Sequence, residues 1–105
     1  MEIVWITFES ELRFEQILAR FRERAQHFRD MDGLLQKFYV HDEDSGRVGG
    51  IYVFDSEASR DALFESEIHT KLRDSSDVRN LDITTFHVMV PLYESGDGSV
   101  STVDQ

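Results

Sequence analysis

The chain contains no cysteine and a single proline among its 105 residues. Without cysteine it has no disulfide, no thiolate nucleophile and no Cys-based zinc or iron–sulfur site. Its longest apolar stretches, residues 3–8 and 86–92, fall far short of the roughly 20 residues that a membrane helix needs. The first residues lack the basic and apolar regions of a signal peptide. We therefore expect a cytoplasmic chain with no membrane partner.

Basic residues are also scarce, and lysines most of all. The 11 Lys and Arg residues stand against 21 Asp and Glu, which gives a net charge of −10, and the two lysines are Lys37 and Lys71. Such a chain repels a polyanion, so we expect no nucleic-acid partner. An acid-rich, lysine-poor surface is typical of proteins kept soluble in concentrated salt. A halophilic source is therefore one hypothesis, and an ordinary acidic domain is the other.

Two segments show the apolar spacing of amphipathic helices. The first helix is predicted to begin after an N-cap at Ser10 and to end near Met31, with Gly33 as a left-handed terminator. The second helix is predicted to begin at Ser56 and to fray before His69. Beyond it, the polar residues 71–80 predict an irregular connection.

Four segments have the pattern of strands. They are residues 3–8, 34–41, 48–54 and 81–92. The order strand, helix, strand, strand, helix, strand predicts an α+β, ferredoxin-like βαββαβ fold, in which both helices cover one face of a four-stranded antiparallel sheet. Because the strands are apolar on both faces, we expect a second copy to cover the other face in a two-fold homodimer.

The chain changes character after Tyr93. The remaining residues are mostly small and polar and show no periodicity. Such composition cannot bury enough apolar surface to fold on its own. We predict one domain over residues 1–93 and a flexible C-terminal tail over residues 94–105.

The even-length loop between the second and third strands fixes which side chains share a face. The predicted cross-strand pairs are His41 with Val48, Tyr39 with Gly50 and Lys37 with Tyr52. One face of this hairpin is then apolar, while the other carries polar and aromatic groups around the bare backbone of Gly50. This pattern is typical of a small-molecule pocket. The alternative is simple packing, in which Tyr39 covers the glycine and Lys37 extends to solvent.

Histidines are the remaining candidates for chemistry. His69 is the most interesting, because it follows the second helix, where loops of this fold overhang the end of the sheet. Nothing in the spacing of His41, His69 and His87 supports a three-histidine metal site, so we expect no metal. The chain also has no Gly-rich phosphate loop, nucleophile elbow or zinc-peptidase motif.

Three segments together are similar to one known family. They are Gly49-Gly50-Ile51-Tyr52-Val53-Phe54 with Ser56-Glu57-Ala58, then Ile68-His69-Thr70-Lys71-Leu72, and finally Phe86-His87-Val88-Met89-Val90-Pro91-Leu92. With residues 32–37, which are similar to a Pro-Gly-Phe-Leu-Trp-Lys segment, they resemble the YdhR-type mono-oxygenases over most of residues 2–93. That family is related to the antibiotic-biosynthesis-type monooxygenases. The chain departs at Asp32 and Gln36, and Gln36 removes the ring that could stack at that position.

The resemblance implies a dimeric α+β barrel that oxidises an aromatic phenol with dioxygen and without flavin, haem or metal cofactor. In such chemistry the substrate's own carbanion reduces oxygen, and the protein supplies a dry pocket, a base and donors for the oxyanion. By position, the resemblance implies acid, base or donor roles for Lys37, Tyr52 and His69. The predicted substrate-binding residues are Trp5, Tyr39, Gly50 and Phe54.

Two functions of different class remain open. The first is a cofactor-independent mono-oxygenase acting on a small aromatic or quinol-like metabolite. The second is a non-catalytic dimeric barrel that binds a small ligand or serves a stress-related role. An isomerase or lactone-processing enzyme on the same scaffold is a third. The fold does not separate them.

Overall fold

The computed structural model of the chain describes residues 1–93. The elements are β1 (Glu2–Glu9), α1 (Phe14–Arg29), β2 (Leu34–His41), β3 (Val48–Phe54), α2 (Glu57–Glu65), α3 (Glu67–Asp74) and β4 (Arg79–His87). The four strands form one antiparallel sheet in the order β2-β3-β1-β4. This order confirms the predicted ferredoxin-like α+β fold. The predicted tail, residues 94–105, lies outside the described residues.

Burial against the helices organises one face of the sheet. Every second residue of β1 points toward the helices, and Val4 and Ile6 are almost fully buried there. Phe54 from β3 and Leu63 from α2 complete the centre of the core. Burying four such side chains contributes about 1.5–3 kcal/mol each relative to exposure. The same alternation leaves the other residues of β1 on the face that no helix of residues 1–93 covers.

The β2–β3 hairpin has the predicted register. His41 pairs with Val48, Tyr39 with Gly50 and Lys37 with Tyr52. A bulge lies at the start of β2, between Leu34 and Gln36, where it does not disturb these pairs. Alternation is therefore unbroken from Lys37 to His41, and Lys37, Tyr39 and Tyr52 share the helix-covered face.

The region after the second helix differs from the prediction. Helix α2 ends at Glu65, before His69 as predicted, but a separate helix, α3, runs from Glu67 to Asp74, so the predicted irregular connection from Lys71 was wrong over residues 71–74. Ser66 explains the difference. Its extended backbone ends α2, and its side chain caps α3 by accepting a hydrogen bond from the His69 N–H at 3.3 Å.

The other boundaries moved for local reasons. Helix α1 begins at Phe14 and not after Ser10, because Arg13 is the N-cap and its N–H donates to the Gln16 side chain at 2.9 Å. Ser10 instead accepts a hydrogen bond from the Leu12 N–H. Strand β4 ends at His87 and does not reach Leu92. Among the described helices, none is both long enough and apolar enough to cross a membrane.

Candidate active site

A cavity lies between the helix-covered face of the sheet and the three helices, and we call it the inner cavity. Its lining residues are Ile6, Phe8, Phe21, Arg24, Phe28, Lys37, Tyr39, Gly49, Gly50, Tyr52, Leu63, Ile68, His69 and Leu72. The inner cavity, measured out to its open mouth, has an empty volume of about 500 Å³. The centre of a water molecule can occupy only about 40 Å³ of this volume. The narrow part has room for about three waters. A ring-sized ligand therefore requires side chains at the mouth to move.

Two adjacent glycines line this space, and a side chain is absent at each for a different reason. A methyl group on Gly49 would overlap the carbonyl oxygen of Ile6, so Gly49 permits the close approach of β1. A methyl group on Gly50 would point into the inner cavity, 3.1 Å from Cε of Lys37 and 3.2 Å from the Tyr52 ring. The space above Gly50 is therefore occupied by the Lys37 stem. Tyr39, its cross-strand partner, instead stacks on Phe21 with ring centres 4.5 Å apart.

Lys37 is the cation at the centre of the site. Its Nζ lies 3.2 Å from the centre of the Phe28 ring, 4.4 Å from that of Tyr52 and 4.5 Å from that of Tyr39. Burial, assisted by the nearby positive charge of Arg24, lowers the pKa of Lys37 to about 7. The ring faces attract the ammonium and act in the opposite direction. Near neutral pH the amine therefore has an accessible neutral form, which can accept a proton.

The two tyrosines of the site remain protonated at neutral pH. Burial raises the pKa of Tyr52, and the neighbouring Tyr39 raises it further, while Arg24 opposes the shift. Burial also raises the pKa of Tyr39, against the positive charges of Arg29 and Arg24. Tyr52 is 5% exposed and packs edge-on against Phe28. Its hydroxyl can therefore serve as a fixed hydrogen-bond donor at the cavity wall.

His69 reaches the inner cavity from the first turn of α3. It is 3% exposed, and its Nδ1 has no hydrogen-bond partner among residues 1–93. Burial lowers the pKa of His69, and the charge of Arg73 lowers it further, so the imidazole is neutral at pH 7. A buried polar atom without a partner is uncommon and costs about 1–3 kcal/mol. His69 is therefore a candidate to hydrogen-bond a ligand once side chains at the mouth of the inner cavity move.

Arg24 belongs to the site, although it was not among the residues predicted from the sequence. It lines the inner cavity, and its charge lowers the pKa values of Lys37, Tyr39 and Tyr52. Its position gives the signal that was missed. Arg24 lies three residues after Phe21 and four before Phe28, so it occupies the apolar stripe of α1 that faces the sheet.

The remaining predicted site residues lie elsewhere. Phe54 is fully buried beneath Tyr52, with the two rings parallel and 6.2 Å apart, and it does not line the inner cavity. Trp5 lies on the opposite, helix-free face of the sheet, where it is 45% exposed. The structure therefore brings together Lys37, Tyr39 and Tyr52 with Gly50 and His69, and leaves Phe54 and Trp5 apart.

A group of metal-ligand type lies outside the inner cavity, and it joins Glu2, Glu57 and His87. His87 Nδ1 is 2.5 Å from one Glu2 carboxylate oxygen and 3.8 Å from Glu57. The Arg60 guanidinium, 3.3 Å from Glu2, already compensates the buried carboxylate. The arrangement is that of an ion-pair network. The three histidines considered for a metal do not form such a group within residues 1–93: His41 stacks on Phe14 while His69 lines the inner cavity.

Comparisons with known proteins place this geometry in context. The protein from Nitrosomonas europaea named NE2512, of unknown function, has a TM-score of 0.71 and 16% identity, covering 90% of this chain and 95% of its own. A mutant of SnoaB, a cofactor-independent oxygenase from Streptomyces nogalater, has a TM-score of 0.67 and 15% identity, with coverages of 89% and 98%. The Rv0793 protein from Mycobacterium tuberculosis has a TM-score of 0.66 and 18% identity, with coverages of 90% and 97%. At these identities the likeness establishes the fold.

Sequence comparison gives the family. No curated protein matches the chain. The family model described as "Putative mono-oxygenase ydhR" matches residues 3–98, which is nearly the whole chain and includes every lining residue of the inner cavity. The resemblance drawn from the Gly-Gly hairpin and the segment around His69 is thereby confirmed. The chain belongs to the YdhR mono-oxygenase family.

Proposed function

We propose that the inner cavity is the reaction site of a cofactor-independent mono-oxygenase that oxidises a small aromatic or quinol-like metabolite with dioxygen. Family membership and the similarity to SnoaB, whose name describes a cofactor-independent oxygenase, support this reaction class. The observation that carries the proposal is the Lys37 amine. It lies among three rings in a largely apolar cavity, and its pKa is lowered to about 7.

The reaction requires two contributions from the protein, which are proton transfer and the exclusion of water. A phenol or enol proton of the substrate passes to the neutral amine of Lys37. The resulting anion transfers electrons to dioxygen, one oxygen atom becomes the new carbonyl of the product, and the other leaves as water. For an anthrone, the CH₂ carbon and O₂ become a C=O group and H₂O, so atoms and electrons balance without a further reductant.

The other lining groups serve the developing charge. The Tyr52 hydroxyl, protonated and buried, would donate a hydrogen bond to the substrate oxyanion. The neutral His69, whose Nδ1 has no partner within residues 1–93, would relay a proton to or from the oxygen that leaves as water. Tyr39 would form the wall against which the substrate ring lies, and Gly50 would leave room for the Lys37 stem beside it. Phe54 would support Tyr52 from behind.

Oxygen uptake with a panel of anthrones and quinols tests the proposal. We expect Lys37→Ala to lower kcat about 10²-fold or more and Tyr52→Phe about 10-fold or more, as for loss of a base and of an oxyanion donor. The matched controls are Lys71→Ala and Tyr93→Phe, because both side chains are exposed and neither lines the inner cavity.

Two outcomes would count against the assignment. Unchanged uptake in Lys37→Ala and Tyr52→Phe would remove these residues from the chemistry. Absence of uptake with every substrate would favour the alternative, a non-catalytic dimeric barrel that binds a small ligand or serves a stress-related role.

We also propose that the chain is a two-fold homodimer in which the helix-free faces of two sheets pack together. Large apolar side chains form a continuous surface there: Phe38 pairs with Ile51, which pairs with Trp5, and the next row ends at Phe86. Phe38, Trp5 and Phe86 are 52%, 45% and 50% exposed. A surface of this kind marks an interface, and a self-complementary contact closes as a dimer. Trp5 would then serve the interface and not the substrate.

Sedimentation of the purified chain tests the dimer. We expect a dimer that Trp5→Glu converts to a monomer, because the substitution places a charge at the centre of the apolar surface. The control is Met89→Glu, at a position that is 95% exposed and beyond the end of β4. A wild-type chain that sediments as one subunit at every dilution would exclude this arrangement.

A further inference from the structure

The inner cavity has a charge character opposite to that of the chain as a whole. The chain carries a net charge of −10, yet the basic residues Arg24 and Lys37 line the inner cavity, and no carboxylate from residues 1–93 does. Both side chains are half-buried, and even partial burial of an unpaired cation is unfavourable, since it loses hydration without gaining a counter-ion. The structure therefore holds positive charge in a place where the fold alone gives no reason for it.

A second space adjoins the inner cavity, and two of the cations that line it are paired with carboxylates. This side cleft lies between α1 and α3, and it shares the lining residues Phe8, Phe21, Arg24 and Leu72 with the inner cavity. Its other two cations are already neutralised. Arg20 lies 2.9 Å from the Asp77 carboxylate, and Lys71 lies 3.4 Å from that of Glu67.

Arg24 and Lys37 have no such partner. Among residues 1–93 neither forms an ion pair with a carboxylate, taking 4.0 Å as the limit between nitrogen and oxygen. The two are close enough that the charge of Arg24 acts directly on Lys37. Arg24 lines both spaces, so a ligand that extends from one into the other would pass the Arg24 side chain. An anionic group on such a ligand would relieve the repulsion between the two cations.

We propose that this cavity selects a flat, mostly apolar ligand that carries one negative charge, such as an aromatic carboxylate, with Arg24 as its charge partner and the Lys37 amine as a second hydrogen-bond donor. The apolar wall formed by Phe8, Phe28 and Leu72 would contact the ring, and the Arg24 guanidinium would donate two parallel hydrogen bonds to the carboxylate. The inference deepens the proposed function, because it names the substrate class of the same site. It does not depend on turnover.

Equilibrium binding of a matched pair of probes tests the inference. The probes are 2-naphthoate and 2-naphthamide, which have nearly the same shape and differ by one negative charge. Titrations are followed by ligand fluorescence in 150 mM salt, where charges beyond about 8 Å are screened. We expect naphthoate to bind at least about 10-fold more tightly than naphthamide. A hydrogen bond to a charged group is stronger than one between neutral groups by an energy that corresponds to about this ratio of affinities.

Two variants that change the net charge equally locate the effect. Arg24→Gln is expected to reduce the preference for naphthoate to less than about 3-fold. Arg22→Gln, on the exposed side of the same helix, is expected to keep it. Circular dichroism and thermal unfolding of both variants establish that the fold is retained, and the neutral probe gives a second check, because its affinity should be the same in all three proteins.

The inference is overturned if naphthamide binds as tightly as naphthoate, if neither probe binds, or if Arg22→Gln loses the preference as fully as Arg24→Gln. These results are independent of oxygen consumption. A chain that binds naphthoate selectively but consumes no oxygen with any substrate would retain the inference and refute the proposed reaction. A chain that consumes oxygen but shows no selectivity for the anion would retain the proposed reaction and refute the inference.

Discussion

Replacing Lys37 by methionine should make the protein more stable near neutral pH. The pKa of this lysine falls from 10.5 to about 7 in the folded chain. That difference corresponds to at most about 5 kcal/mol of unfavourable free energy for the ammonium. Attraction to the three surrounding rings offsets part of it, at about 0.5–1 kcal/mol for each ring. At pH 6.5 we therefore expect Lys37→Met to raise the free energy of unfolding by on the order of 2 kcal/mol.

The sign of the pH dependence follows from proton counting. Between pH 7 and pH 10.5 the unfolded chain holds the Lys37 proton and the folded chain does not. Stability of the wild type should therefore rise with pH in this window, by at most about 1.4 kcal/mol per pH unit. Lys37→Met should lack this rise. Measurements end at pH 9.5, because Tyr39 and Tyr52 have raised pKa values in the folded chain, and their ionisation in the unfolded chain lowers stability above pH 10.

Urea unfolding at pH 6.5, 7.5, 8.5 and 9.5, at one fixed protein concentration, measures this difference. Lys71→Met is the control, since that side chain is exposed and should change stability by less than about 0.5 kcal/mol. NMR titration of isotopically labelled lysine gives the pKa of Lys37 directly, with Lys71 as the second signal. The reasoning is refuted if Lys37→Met is less stable than the wild type at pH 6.5, because the rings would then hold the amine as an ammonium unable to act as a base.

Three further predictions follow from individual contacts. Gly50→Ala should cost about 1 kcal/mol of stability and lower oxygen uptake, because the new methyl displaces the Lys37 stem by a few tenths of an ångström. Gly49→Ala should cost roughly 3 kcal/mol or more, because the new methyl separates β1 from β3. Urea unfolding of the two variants measures both costs. Arg60→Met should cost about 3 kcal/mol in the same assay, since it leaves the buried Glu2 carboxylate without its guanidinium partner. If the acid-rich surface reflects adaptation to salt, the thermal midpoint should rise steadily in molar KCl, and a midpoint no higher than in dilute buffer would contradict that hypothesis.

The sequence was most informative where one local rule acts alone. Strand alternation and an even-length loop predicted that Lys37 faces Tyr52 and that Tyr39 faces Gly50, and both pairs are present. The apolar character of both faces of the strands predicted a sheet face without helical cover, although Trp5, which lies on that face, was predicted to bind substrate.

The sequence was less informative where packing decides the result. The sequence could not decide whether Gly50 opens a pocket or is covered by a neighbouring side chain. The answer depends on packing, because Tyr39 stacks on Phe21 and the Lys37 stem, not Tyr39, covers Gly50. Arg24 was missed because a cation on an apolar stripe points to a cavity only when the opposite wall is known. Helix α3 could have been found, since Ser66-Glu67 repeats the capping pattern of Ser56-Glu57.

Isotope labelling of the product tests the central claim most directly. Wild-type protein is dialysed against a chelator and supplied with ¹⁸O₂ and an anthrone that supports oxygen uptake. Mass spectrometry then measures the mass of the product. We expect one ¹⁸O atom in the product quinone, at a rate that falls about 10²-fold in Lys37→Ala and is unchanged in Lys71→Ala. A product without ¹⁸O, or the same labelling rate in Lys37→Ala as in the wild type, would contradict the account.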